Sequence, residues 1–239
     1  KTGSWKLFAD GLHTPLGVLA LSDQEILVSQ RPELTLLRDL DGDGIADQYS
    51  TFCDSFGMTG NYHEFHFGPV RDSEGNLFVA LGTASSGADV RFEKRGRFDQ
   101  RSYLQRMYSS VPYRGWVCMV TPSGKLVPWA SGLRTPNGLG FDLDGNLFVC
   151  DNQGDWLGTS KMHHVERGKF YGHVASLLWE KTGRREDPWI CRCPNLRSEG
   201  RPRRFYFPME SWLILPLNLW STPPAARSVP LPDNCSSER

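Results

Sequence analysis

The sequence predicts an all-β fold that is built from a repeated strand–turn–strand unit. Residues 132–156 (GLRTPNGLGFDLDGNLFVCDNQGDW) have the pattern of a loop, a strand, a tight turn at Asp144-Gly145, a second strand and a polar loop. Residues 15–30 and 67–82 have the same pattern. In residues 132–156 apolar side chains alternate with others, as in a half-buried strand pair; they are Leu139, Phe141, Leu147 and Val149.

A second observation identifies the repeat. The pentapeptide GLHTP at 11–15 returns as GLRTP at 132–136, each time just before a predicted strand pair. Repeats at intervals of roughly 50 to 70 residues are typical of β-propellers, in which each blade buries its faces only against its neighbours. A two-sheet sandwich is the alternative, and the repeated pentapeptide argues against it. We therefore expect roughly four blades over residues 1–180.

Composition excludes several classes of function. The formal net charge is zero, so no electrostatic case exists for binding nucleic acid or an anionic membrane. No apolar run approaches the ~18 to 20 residues that span a bilayer. The sequence lacks the P-loop, the G-x-S-x-G motif and the dinucleotide-binding G-x-G-x-x-G. The six cysteines are scattered or lie near the C-terminus, and they indicate no compartment.

Residues 39–47 (DLDGDGIAD) follow the pattern D-x-D-x-D-G-x-x-D. Calcium prefers several oxygen ligands from one short loop, in which glycine permits the sharp turn. Asp-Gly pairs also form ordinary turns, and Ser50 stands where an EF-hand has its glutamate. Four carboxylates so close together would repel one another without a cation, so the sequence predicts a structural calcium site. The predicted ligands are the carboxylates of Asp39, Asp41, Asp43 and Asp47 and the carbonyl of Ile45.

The segment 61–66 (NYHEFH) precedes the second repeat and contains two histidines. Imidazole titrates near neutrality, so either histidine could serve as a general base, although a loop histidine is more often merely hydrogen-bonded. Residues 83–115 are polar and rich in arginine. Their balanced charges predict a solvated insertion over one face of the propeller.

Together, three phrases resemble a known family: GLRTPNGL, DGNLFVCDNQGDW and GKFYGH. Over residues 5–180 the chain is similar to the soluble quinoprotein glucose and sorbosone dehydrogenases, and above all to their sorbosone dehydrogenase-like relatives in planctomycetes and related bacteria. The resemblance implies a six-bladed propeller, of which this chain would supply an incomplete ring. It also implies pyrroloquinoline quinone and calcium as cofactors, and a sugar or alcohol as substrate. A periplasmic or secreted location and an electron acceptor such as a cytochrome domain are implied as well, although the chain shows no signal peptide.

The resemblance also assigns roles by position. His63 corresponds to the catalytic base, with His66 as a substitute because the spacing differs by about one residue. Arg134 corresponds to the arginine that contacts the quinone, and Asn137 stands where a glutamine lies in the same loop. Thr135 departs from the family, which has asparagine there. The loop that presents calcium ligands corresponds to Gln153, Gly154 and Asp155.

From about Lys181 the strand pattern stops, and arginine and proline accumulate. A natural disordered extension is one interpretation. We favour a frameshift, because residues 221–238, back-translated in another frame, allow GPFAGQLFVGE, which is how the family continues. The closing blades would lie beyond residue 180, where out-of-frame sequence replaces them. We therefore expect this chain to be an inactive fragment of a quinone-dependent dehydrogenase. The alternative is a non-catalytic, calcium-stiffened propeller that binds a carbohydrate or a protein partner.

Overall fold

A computed structural model describes residues 3–86, 94–99, 106–155 and 158–180. The described residues contain fifteen strands and one 3-10 helix, Val174–Trp179. The strands are β1 Gly17–Ala20, β2 Glu25–Gln30, β3 Glu33–Arg38, β4 Gln48–Cys53, β5 Met58–Thr59, β6 His66–Arg71, β7 Leu77–Leu81, β8 Ala84–Ser85, β9 Lys94–Arg95, β10 Met107–Tyr108, β11 Trp116–Val120, β12 Leu126–Ser131, β13 Pro136–Phe141, β14 Leu147–Asp151 and β15 Lys161–His164.

Three antiparallel sheets organise the described part of the chain. The first has the order β1-β2-β3-β4, the second β12-β11-β7-β6 and the third β13-β14-β15, so each is a meander. The first strands lie side by side, since β6 packs against both β1 and β13. Successive meanders whose first strands meet in this way are arranged as propeller blades. The all-β, propeller-type fold predicted from the repeats is confirmed.

The turns within the repeats are built by aspartate side chains. In the β13–β14 turn, Asp142 Oδ1 accepts hydrogen bonds from the amides of Asp144 at 3.0 Å and Asn146 at 2.8 Å. The β6–β7 turn repeats this chemistry with Asp72 and Asn76. Gly145 takes a φ of 82°, which glycine adopts without steric cost. Asp144-Gly145 thus marks the turn in the sequence, while the side chain that holds the turn by hydrogen bonds is Asp142, two positions earlier.

The second sheet is buried on both faces. Along β7, Leu77, Val79 and Leu81 enter the core shared with the first sheet, and Phe78 and Ala80 enter the core shared with the third. Successive strand residues point to opposite faces, so an uninterrupted apolar strand is what a sheet between two others requires. β11 divides its side chains in the same way.

The interpretation of residues 83–115 as a solvated insertion is wrong for residues 107–115. Tyr108, Val111 and Arg114 are completely buried. The guanidinium of Arg114 donates to the carbonyls of Gly57 at 2.9 Å and Glu64 at 3.0 Å. Backbone carbonyls thus accept hydrogen bonds from Nε and Nη1 of an arginine that composition alone assigns to the surface, while its buried Nη2 has no partner among the described residues.

Some expectations fall outside the described residues. The segment 181–239, with its suspected change of frame, is one of them, as are residues 87–93 and 100–105 of the insertion. Within the described residues, no helix has the length and apolar character needed to cross a bilayer.

Replacing Gly17 by alanine is expected to separate the first two sheets. A Cβ at Gly17 would lie 1.6 Å from the carbonyl oxygen of Gly68, and backbone cannot yield as a flexible side chain can. We expect a loss of about 1–3 kcal/mol or more in the free energy of unfolding, measured by urea denaturation. Gly140→Ala is the matched control, because no atom lies within 4 Å of its added Cβ. Equal losses for the two variants would contradict the close approach.

Acid is expected to destabilise the fold through buried histidines. Burial lowers the pKa of His66 to about 3 and that of His163 and His173 to about 4. The unfolded chain binds protons below its ordinary pKa of about 6.5, whereas the native state does not. The free energy of unfolding should therefore fall between pH 6.5 and 4, by roughly 1 kcal/mol per pH unit for each histidine.

Urea unfolding at pH 7, 6 and 5 measures this slope. Neighbouring residues of β15 provide a matched pair, because His163 is buried and His164 is exposed. His163→Gln should flatten the pH dependence, and His164→Gln should leave it unchanged. A stability that does not vary from pH 7 to 5 would show that these histidines are not buried in the neutral form.

Candidate functional site

The polar residues collect at one end of the blades. The start of the first strand and the end of the second strand of an antiparallel pair lie at the same edge. His63 and Thr83 flank the β6–β7 pair at this edge, and Arg134 and Asp151 flank the β13–β14 pair. Because β6 packs against β13, the two sets of loops are neighbours.

His63 is held in one tautomer. Its Nδ1 lies 3.0 Å from the carbonyl oxygen of Thr83, which can only accept a hydrogen bond. Nδ1 therefore carries the proton in the neutral ring, and Nε2 is the basic nitrogen. Burial lowers the pKa of His63, and the positive charges of Arg134 and Arg106 lower it further. The ring is therefore neutral at pH 7, as a general base must be.

Thr83 connects this histidine to Arg134. Its amide and its hydroxyl donate to the carbonyl oxygen of Arg134, at 2.9 and 2.7 Å. A single residue thus holds the ring of His63 on one side and the backbone of Arg134 on the other. The structure brings the predicted base and the predicted quinone-contacting arginine into one site.

Arg134 has unused hydrogen-bonding capacity. Its backbone is fixed by the carboxylate of Asp151, which accepts its amide at 3.1 Å and that of Thr135 at 2.8 Å. Among the described residues, its side-chain Nε is buried without a hydrogen-bond partner. Burial lowers the pKa of Arg134, as does the charge of Arg106. Arg134 as a whole is half-buried, and a cation with an unsatisfied N–H group is suited to an anionic ligand.

Asp151 holds the backbone of the repeated pentapeptide at 132–136 through its carboxylate. It is buried, and burial raises its pKa, while hydrogen bonds from the Arg134 and Thr135 amides and the charge of Lys161 oppose that rise. In the first repeat Gln30 has the same place and accepts the amide of His13 at 2.6 Å. The pentapeptide thus marks a backbone that folds back onto a polar side chain at the end of the second strand.

Asp155 joins the loop after β14 to the insertion. Its Oδ1 lies 3.1 Å from Arg106 Nε, and its Oδ2 accepts the amide of Met107 at 3.0 Å. Asp155 is therefore engaged with β10 and its flank. Gln153 is exposed and Gly154 half-buried in the same loop, and Asn137 is exposed near the start of β13.

His66 differs from His63 in its surroundings. It is completely buried, its Nδ1 donates to the carbonyl of Gln30 at 2.9 Å, and its ring packs edge-on against Phe56. His63 is half-buried. Of the two histidines considered from sequence, His63 is the one that a ligand can reach.

Three of the predicted calcium ligands converge. The carboxylate oxygens of Asp39, Asp41 and Asp43 lie within 4.8 Å of one another, and this acidic triad could hold a metal ion. Asp39 is the buried member, and the other two are exposed. Asp47 instead accepts the amide of Leu40 at 2.7 Å.

The charge of the acidic triad is already partly balanced. Asp39 accepts the amides of Gly42 and Gly44, both at 2.7 Å, and the Lys6 ammonium donates to the carbonyl of Asp43. Burial acts to raise the pKa of Asp39, but these amide hydrogen bonds outweigh it and the pKa is lowered. Repulsion among the carboxylates is therefore weaker evidence for calcium than the sequence suggested.

Several residues of the site were not predicted from the sequence. Thr83 and Arg106 lie in the insertion, where only composition was informative. Asp151 could have been found by aligning the two pentapeptide repeats, since it then falls opposite Gln30. Asn61 precedes His63 by two residues, but nothing in the sequence distinguishes a buried asparagine from one in a turn.

Comparison with known proteins identifies the family. A family model described as "Domain of unknown function (DUF7133)" matches residues 2–183. The chain belongs to this family. No curated protein matches it.

Several solved structures are similar to the chain at low identity. A glucose dehydrogenase is 17% identical with a TM-score of 0.45, and the match covers 69% of this chain and 55% of that one. The PQQ-bound aldose sugar dehydrogenase from Streptomyces coelicolor is 17% identical with a TM-score of 0.34, over 70% and 64% of the two chains. The apo-form enzyme from Escherichia coli is 12% identical with a TM-score of 0.34, over 70% and 65%. This DUF7133 chain thus spans about half the length of the first of them.

Proposed function

We propose that these residues form the base and anion-binding part of a quinone-dependent oxidoreductase acting on sugars or other alcohols and aldehydes. The observation that carries the proposal is the pairing of a neutral, half-buried His63 with the cationic Arg134 through Thr83. The motifs that resemble the quinoprotein dehydrogenases support it, because they contain Arg134 and lie beside His63 in the fold.

His63 would accept the hydroxyl proton of the substrate at Nε2. Its Nδ1–H remains on the Thr83 carbonyl and fixes the ring, so the basic nitrogen stays at one position. Burial lowers the pKa of His63, the nearby cations Arg134 and Arg106 lower it further, and the ring is therefore unprotonated before the reaction. Positioned general bases contribute typically about 10²–10⁴-fold to a rate.

The residues fit the anionic part of pyrroloquinoline quinone. Arg134 offers a buried, unsatisfied N–H group, and a planar guanidinium suits carboxylates. The bound quinone would supply the two-electron acceptor that amino-acid side chains lack. Asp155 forms an ion pair with Arg106 and accepts the amide of Met107, so we assign this residue to holding Arg106 rather than to a calcium ion beside the quinone.

Reconstitution with quinone and calcium tests the proposal in two forms of the protein. The first form is the 239-residue chain, which we expect to be inactive, and the second has residues 181–239 replaced by the alternative-frame translation. In the second form, aldose-dependent dye reduction is expected. His63→Gln should lower kcat by about 10²–10⁴-fold and leave quinone binding unchanged. Arg134→Ala should weaken quinone binding, measured by absorbance titration, and His164→Gln is the control.

Each outcome has a distinct meaning. Turnover by the unmodified chain would disprove the expected frameshift and inactivity. Failure of both forms to bind quinone, together with calorimetric binding of a sugar, would favour the non-catalytic alternative. Unchanged activity in His63→Gln would show that His63 is not the general base.

We also propose that the acidic triad binds calcium and stabilises the β3–β4 connection. Three convergent carboxylates in a loop with two left-handed glycines support a hard cation with oxygen ligands. The Lys6 ammonium lies against the same loop and would compete with the ion.

Calcium is therefore expected to raise the thermal midpoint of the full chain. At a concentration of 100 times Kd, binding to the native state alone adds about 2.7 kcal/mol. Asp41→Asn with Asp43→Asn should abolish the shift, and Lys6→Gln should strengthen it. Asp144→Asn, in an exposed turn outside the triad, is the control. A midpoint that neither calcium nor magnesium changes would show that the loop is an ordinary turn.

A further inference from the structure

The side chain of Asn61 is completely buried and hydrogen-bonded at both its nitrogen and its oxygen. Its Nδ2 donates to the carbonyl of Ser85 at 2.8 Å and to the hydroxyl of Tyr108 at 3.2 Å. Its Oδ1 accepts the amides of Ser85 at 3.2 Å and His63 at 3.1 Å. The side-chain amide of Asn61 thus joins the His63 backbone to two strands of the insertion, β8 and β10.

The backbone of Asn61 is fixed as well. Its amide donates to Thr59 Oγ1 at 3.1 Å, and its carbonyl accepts Arg31 Nη2 at 2.6 Å and the amide of Glu64 at 3.3 Å. Glu64 in turn accepts the amide of Thr59 at 2.5 Å. The turn 59–64 is therefore held by hydrogen bonds between its own residues. The side chain of Asn61 joins this turn to Ser85 and Tyr108 of the insertion.

The insertion between β7 and β11 holds both the ring and the backbone of His63. Thr83, at its beginning, accepts the ring Nδ1–H, while Ser85 in β8 and Tyr108 in β10 hold Asn61. The same insertion contributes Arg106, which pairs with Asp155. The position of His63 thus depends on a segment that lies outside the repeated strand pairs.

We propose that Asn61 is a positioning residue for His63, through which the insertion holds the basic Nε2 at a fixed place in the site. This inference rests on the proposed function, in which His63 is the base. The side chain must donate two hydrogen bonds and accept two, which a primary amide can do and an ionised carboxylate cannot. Removing it would leave buried donors and acceptors unpaired and free the turn to shift.

The test is made first on the full chain without quinone. In ¹⁵N-histidine NMR spectra, assigned with His63→Gln, the unmodified protein should show the Nδ1–H tautomer of His63. Asn61→Ala should give a mixture of tautomers and move the His63 pKa toward its ordinary value, because the ring becomes more exposed. The charged groups that act on His63 are Arg134 and Arg106, and the Asn61→Ala substitution leaves both arginines in place.

Two further variants separate positioning from stability. Tyr108→Phe removes one hydrogen bond to Asn61 without a change of shape, and it should shift the His63 signals in the same direction but less. Asn76→Ala is the matched control, because this asparagine secures the β6–β7 turn through Asp72 at 2.9 Å. It should lower the thermal midpoint and leave the His63 spectrum unchanged.

In a form that turns over, Asn61→Ala should lower kcat by about 10- to 100-fold with a smaller change in KM, as expected for a misplaced catalytic group. An unchanged His63 spectrum in Asn61→Ala and Tyr108→Phe would overturn the proposal and make Asn61 purely structural. If Asn61→Ala does not fold, Tyr108→Phe decides by the same spectrum. Absence of turnover in every form would refute the proposed function, while the tautomer measurement would still decide the role of Asn61.

Discussion

The burial of both faces of the second sheet is the constraint on which the rest of the described structure depends. β7 sends alternate side chains into two separate cores, so the sheets before and after it have to stack on opposite sides. This stacking brings β6 between β1 and β13. The loops that begin the first strands then meet at one edge, and the site follows from the packing of apolar residues that take no part in its chemistry.

At that edge the backbone supplies most of the polar partners. Arg114 donates to three carbonyls, Asp151 accepts two amides, and the ring of His63 is held by the Thr83 carbonyl. Backbone groups move little, so they hold these side chains more rigidly than surface ion pairs would. The result is a neutral imidazole in cationic surroundings, which is the state in which it can accept a proton.

The site could be predicted from sequence only in part. His63 and Arg134 were found because they stand in recognisable phrases, and the acidic triad because its spacing is regular. Thr83 and Arg106 lie in the insertion, and Asn61 contacts it. For this segment, charge and composition predicted a solvated surface. Arg114 shows why this failed: whether an arginine is buried depends on which carbonyls surround it, and those of Gly57, Glu64 and Phe65 are about 50 residues away in the sequence.

The sequence by itself determined the local elements. Alternating apolar residues, Asp-Gly turns and a repeated pentapeptide specify strand pairs, because side-chain period and turn geometry are set within a few residues. Only the tertiary structure decided which histidine is accessible, which residues Asp155 binds and how far the negative charge of the acidic triad is balanced by nearby amides. These outcomes depend on hydrogen bonds and burial between distant segments, as when His66 enters the core beside Gln30 and His63, three residues earlier, faces Arg134.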